Sequence, residues 1–169
     1  MKILHASDLH YSPGNLDEAD RCFGHAVEQA IVNDVAVAML TGDLTDHALD
    51  GHSPALLALA KRIKQLADHC PVFLLQGTFS HEPVGLLKML EMIGASHPIV
   101  VSDKIGMIGL ADGKWLDYDP TYTDVQYDLV ITSVPTVNKA ELALVVGADN
   151  ASVEMGNHLA ALLGIFAPA

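Results

Sequence analysis

Two hydrophobic periods alternate along the first part of the chain. An apolar run at 3–6 predicts a short strand. Leu16, Ala19, Phe23, Ala26, Val27, Ala30 and Ile31 then recur at helical spacing, with Asp17, Glu18, Asp20 and Glu28 between them. Asn15 is placed to cap this helix, and acidic residues in its first turn suit the positive end of the helix dipole. The run at 35–40 is apolar throughout and short, which predicts a buried strand. Ser53 and Pro54 supply an N-cap and a first-turn proline for a second helix, whose inner face carries Leu56, Leu59, Ala60, Ile63, Leu66 and Ala67. A third strand is expected at 71–75. Pro83 opens a third helix bearing Leu87, Leu90 and Ile93, stopped at Gly94.

Strands apolar on both faces, alternating with amphipathic helices, predict a parallel sheet covered on two sides. After Gly94 the texture changes. Shorter strands are expected at 98–101, 105–110 and 129–134, separated by turns at Gly106, Gly109, Gly113, Asp117, Asp119 and Pro120. They predict a second, partly antiparallel sheet. Helical periodicity returns at 151–166 through Leu159, Leu162, Leu163 and Phe166. The expected class is therefore α/β, in one domain over 1–169. The last residues follow an apolar helix with no further strand to cover it, which predicts an incomplete C-terminal end.

Composition narrows the class. The 169 residues are 50% hydrophobic and 18% charged, which excludes a disordered polar chain. Nine Lys and Arg against 21 Asp and Glu give a formal net charge of −12. Such a chain repels nucleic acid and anionic membrane at long range. A polyanionic substrate then needs a bound cation, a local basic patch or a partner subunit. No apolar run is long enough to span a bilayer, and Lys2 leads directly into a strand, so a cytoplasmic protein without a signal peptide is expected. Cys22 and Cys70 share no paired spacing and are expected as buried, reduced thiols.

The chemistry lies just past the expected strand ends, with Ser7-Asp8-Leu9-His10 after the first, Thr41-Gly42-Asp43 after the second, and 76–82 after the third, ending in Ser80-His81-Glu82. Carboxyl ends of parallel strands form the binding crevice of an open α/β sheet. Asp8 and His10, two apart in an extended segment, point the same way and can chelate one ion. The two oxygens of Asp43 can bridge a pair of ions. Oxygen and imidazole donors favour two divalent ions of the Mn²⁺, Fe, Zn²⁺ or Mg²⁺ kind, Mn²⁺ first. Such a pair holds a phosphate for attack by an acidified water. His81 is placed to protonate the leaving oxygen.

These motifs resemble those of the calcineurin-like metallophosphoesterases, whose pattern runs Asp-x-His, Gly-Asp, Gly-Asn-His, a late His and Gly-His-x-His. The opening segment 2–10 looks most like the nuclease subunit of bacterial double-strand-break repair complexes and its phage-encoded relatives. The resemblance implies two packed sheets flanked by helices, with Asp8 and His10 on the first metal, Asp43 bridging and His81 catalytic. It also implies phosphodiester hydrolysis, with DNA as substrate and help from a partner ATPase subunit or further chain. A small-nucleotide phosphodiesterase and a metal-poor partner-binding fold are the alternatives. The third motif departs from the pattern, having Gly77-Thr78-Phe79-Ser80-His81 for Gly-Asn-His. Either Ser80 stands for the Asn ligand after a longer loop, which keeps the order of His81 and Glu82 and is the alignment favoured, or Thr78 does. Ser133 stands near the position of the late His, and no Gly-His-x-His occurs. His5 is expected as a sheet or core histidine and His158 as an ordinary helix residue. Asp46 and His47 are expected on a surface loop, with lining of the crevice as the alternative. Met89, Met92 and Met107 are expected as core filling, and Trp115, Tyr118, Tyr122 and Tyr127 as a packed loop or interface, with base stacking as the alternative.

Overall fold

The computed structural model describes residues 1–47, 49–119, 124–136 and 151–166. The chain divides into two compact units, residues 1–136 and 137–169. In the first unit, β1 (Ile3–Ala6), β2 (Val37–Thr41), β3 (Val72–Leu75) and β4 (Ile99–Ser102) form a parallel sheet in sequential order. In register, Leu4 faces Ala38, Leu40 faces Leu74, and Leu74 faces Val101. Helices α1 (Leu16–Val32) and α2 (Pro54–His69) cover one face of this sheet, burying Phe23, Val27, Leu59, Ile63 and Leu66 against Ala38, Leu40, Val72 and Leu74. The predicted cap of α2 is present, since Ser53 Oγ accepts the Ala55 amide at 3.3 Å and Pro54 takes the first turn.

A second, antiparallel sheet has the order β6-β5-β7, from β5 (Gly106–Ala111), β6 (Lys114–Asp117) and β7 (Leu129–Ser133). Asp112 and Gly113, both at positive φ (49° and 71°), close β5 onto β6 as a two-residue hairpin. The two sheets touch through Phe73 against Trp115, with ring centroids 6.1 Å apart, and through Ser102 Oγ donating to Ser133 Oγ at 2.7 Å. The fold is the α/β arrangement of one parallel and one antiparallel sheet with flanking helices. The second unit contains helix α3 (Ala151–Phe166).

Several expectations are corrected. The 98–101 strand joins the parallel sheet beside β3 rather than the second sheet, because Val72–Leu75 still has an open edge for an apolar strand to pair with. The third helix shrinks to a 3-10 turn, Leu87–Met92, since Gly85 at φ 86° breaks helical backbone just after Pro83. Met89 and Met92 are 48% and 85% exposed, so they fill no core. β6 was not expected, although its Asp-Gly turn is a hairpin signal. Asn15 does not cap α1; its Oδ1 accepts from the Ser12 amide and hydroxyl, and its Nδ2 donates to the His10 carbonyl at 2.8 Å. Cys22 is exposed, while Cys70 is buried, and both are free thiols. His5 sits on β1 with Nε2 2.8 Å from Thr41 Oγ1. Trp115 splits from Tyr118 and Tyr127, which pack on each other at 5.1 Å; Tyr122 and the His158 side chain lie outside the described residues. Among the described residues no helix is long and apolar enough to cross a membrane.

Candidate metal centre

The site grows from three loops that leave the carboxyl ends of β1, β2 and β3. The first two are laced together by main-chain hydrogen bonds: Asp8 N to Gly42 O (3.1 Å), His10 N to Asp43 O (3.0 Å), Tyr11 N to Leu44 O (2.9 Å) and Asp46 N to Tyr11 O (2.9 Å). The lacing holds Asp8, His10, Asp43 and His47 in left-handed backbone, at φ of 55°, 47°, 52° and 62°. Left-handed backbone disfavours residues with a Cβ, though Asp and His accept it more readily than most. Where surrounding bonds enforce such a conformation, it aims side chains in directions that ordinary strands and helices do not.

The third loop is locked onto the second from inside. Glu82 is fully buried; its Oε1 accepts the Leu44 amide and its Oε2 the Gly77 amide, each at 2.5 Å. Burial raises the Glu82 pKa, while the two amides pull it down. Gln76 Nε2 donates to the Glu82 carbonyl at 2.6 Å, and Thr45 Oγ1 to the His81 carbonyl at 2.5 Å. Gly77 lies so close that a Cβ there would sit 2.2 Å from Asp43 N and 2.4 Å from its Oδ1. A side chain at 77 is opposed by main chain rather than by a flexible side-chain end, so the loops must shift to admit one.

This packing brings the predicted residues together. One ligand atom from each of Asp8, His10 and Asp43 lies within 4.8 Å of the others, and so it does for His10, Asp46 and His81. His10 Nε2 is 4.0 Å from Asp8 Oδ1. The His10 and His81 rings meet edge to face at 4.8 Å. His81 Nδ1 lies 3.5 Å from Asp46 Oδ1 and accepts from the His47 amide at 3.3 Å. Asp46, expected on a surface loop, thus belongs to the site, and His47 Nδ1 lies 2.7 Å from its Oδ1. Ser80 is exposed, and its hydroxyl donates to Thr78 Oγ1 at 3.4 Å. The hydroxyl that reaches Asp43 is that of Thr78, which donates to Oδ1 from both its amide (2.7 Å) and Oγ1 (2.9 Å). Ser133 is buried against Ser102.

The donor set fits divalent cations. Asp8 and Asp43 converge on His10 in one group, and Asp46 and His81 converge on the same His10 in the other. Left bare, these carboxylates repel each other and any phosphate, whereas a cation between them relieves both. Sequence reasoning missed the close approach at Gly77 and the grip of buried Glu82 on two loops, which act through contacts between loops. It placed Asp46 on the surface first, Asn15 as a helix cap, and Thr78 only in the alignment not favoured.

Residues 1–134 match the calcineurin-like phosphoesterase family. No curated protein matches the chain.

Proposed function

We propose, from the premise that this chain belongs to the calcineurin-like phosphoesterase family, that its metal-dependent phosphoester hydrolysis is directed at phosphodiesters, with DNA ends as substrate. The observation that carries the hydrolytic reading is the convergence of Asp8, His10 and Asp43 to within 4.8 Å at the mouth of the parallel sheet. Asp8, His10 and Asp43 would hold the first ion, and Asp43 has a second oxygen for another. When bound, divalent cations neutralise phosphoryl charge and lower the pKa of coordinated water. Mn²⁺ is the ion proposed.

The chain's own residues do the rest. Thr78 steers Asp43 by taking up Oδ1 with two donors. Glu82 and Gly77 hold the third loop against the second, which sets where His81 stands. To act as the acid, His81 would carry a proton on both nitrogens, with Nδ1–H turned to Asp46 Oδ1 in place of the His47 amide and the Nε2 proton passing to the leaving oxygen. His81 is therefore the acid and Asp46 a positioning residue. DNA as substrate rests on the opening segment 2–10; because a charge of −12 opposes DNA binding, the reading includes a partner ATPase subunit or further chain for the wider DNA contact. That same charge favours a second reading, a small nucleotide phosphodiester, which needs no extended basic surface.

Hydrolysis of bis-p-nitrophenyl phosphate with Mn²⁺ tests the reaction. Activity should appear with the metal, vanish with chelator, and fall about 10²-fold or more in Asp43→Asn, which loses a charged ligand. Activity that survives Asp43→Asn would refute the assignment. Release of nucleotides from linear DNA, set against cleavage of small cyclic or dinucleotide diesters, separates the two substrates.

A further inference from the structure

We propose that His10, Asp46 and His81 form a second, imidazole-rich cation site that takes Zn²⁺-class ions and switches the phosphoesterase off when filled. The regulatory half rests on the function proposed above; the binding half stands on geometry alone. The three ligand atoms lie within 4.8 Å of one another. Two ligands on a tetrahedral zinc, each bound at 2.0–2.1 Å, stand about 3.3 Å apart. His81 Nδ1 and Asp46 Oδ1 are already 3.5 Å apart, with no bridging hydrogen bond to oppose an ion between them. The His47 amide that faces Nδ1 does so at 3.3 Å, a weak bond for an ion to displace. His47 Nδ1 stands 2.7 Å from that same Asp46 oxygen and fixes the direction of the carboxylate, as supporting groups do around bound metals.

Chemistry separates this site from its neighbour. Asp8, His10 and Asp43 offer two carboxylates and one imidazole, a hard set suited to Mn²⁺ or Mg²⁺. His10, Asp46 and His81 offer two imidazoles and one carboxylate, the set of many three-ligand zinc sites. Both groups draw on His10, and an imidazole does not readily serve two ions. Filling the second site therefore withdraws His10 from the first. It also takes Nδ1 of His81 and turns the ring from proton donor to ligand. Zinc in slight excess should then act against manganese on one molecule.

Zn²⁺ affinity of the whole chain, read by competition with a chromogenic chelator, and Mn²⁺ affinity, read from the electron paramagnetic resonance of the free ion, test this together. Asp46→Asn and His81→Gln should each weaken the tightest Zn²⁺ binding about tenfold or more and leave Mn²⁺ affinity within about threefold. Asp8→Asn should do the reverse, and one equivalent of Zn²⁺ should expel bound Mn²⁺. Unchanged Zn²⁺ affinity in both Asp46→Asn and His81→Gln overturns the site, as does loss of tight Zn²⁺ binding in Asp8→Asn, which leaves the three ligands in place. Zn²⁺ should inhibit Mn²⁺-supported hydrolysis at the concentration that fills the site, with relief by added Mn²⁺; inhibition that Mn²⁺ does not relieve overturns the shared ligand. If no hydrolysis appears with Mn²⁺, the function above and the regulatory half fail together, and the zinc site is still decided by binding.

Discussion

A single hydrogen at Gly77 decides whether the second and third loops can meet. Replacing it with a methyl group puts that carbon 2.2 Å from the Asp43 amide nitrogen, so the loops must part. Gly77→Ala should therefore cost about 1–3 kcal/mol of stability and, with Asp43 displaced, weaken Mn²⁺ binding about tenfold. Denaturant titration with and without Mn²⁺ measures both, and a variant with wild-type affinity would show that the close approach is not needed. Other residues at this scale escape any one-dimensional pattern. Asn15 has the chemistry of a cap, yet the chain turns so that its amide meets the His10 carbonyl and fixes the loop bearing the metal ligand. Thr78 and Ser80 offer the same hydroxyl, and only the turn after Gln76 puts the former on Asp43.

Helices α1 and α2 do more than cover the sheet. Arg62 on α2 grips Asp20 on α1 with Nε and Nη2, at 2.9 and 2.7 Å, and Tyr11 donates to the same carboxylate at 3.2 Å. Tyr11 is fully buried and follows His10 directly, so the helix pair is tied to the metal loop. The hydrogen bonds from Arg62 hold Asp20 below its ordinary pKa of 3.8. A lowered folded-state pKa contributes stability that is complete above 3.8 and is lost as pH falls through the lower folded value. Arg62→Met should lose about 1–3 kcal/mol at pH 6 and show a shallower acid decline than the wild type. Urea titrations at pH 6 and pH 3 give the comparison; equal slopes would show that the pair carries no linkage. Also at this scale, strands β1 to β3 and both helices were legible, because each buries a face at its own period. β4 was legible as a strand and not as a member of the parallel sheet, since its apolar run suits either sheet and only pairing with β3 selects one.

For the molecule as a whole, a net charge of −12 makes the fold sensitive to cations. Carboxylates gathered at one sheet edge raise the energy of the metal-free fold, and ions bound there return it. Saturating Mn²⁺, at one hundred times its Kd, should stabilise the wild type by about 2.7 kcal/mol and Asp43→Asn far less. Thermal unfolding with and without chelator reads this directly, and equal shifts in both proteins would place the bound ion elsewhere.

What the sequence determined by itself was local: the alternation of strands and helices, the breaks between them, and the fact that Asp8, His10, Asp43 and His81 all follow strands of one kind. Periodicity and turn chemistry act over a few residues, so they survive in one dimension. Tertiary structure decided which sheet receives 99–102, the left-handed backbone at Asp8, His10 and Asp43, and the approach of Asp46 to His81. Each of these depends on hydrogen bonds between segments far apart along the chain. Such contacts exist only once the hydrophobic face of the sheet has brought the loops to a common edge.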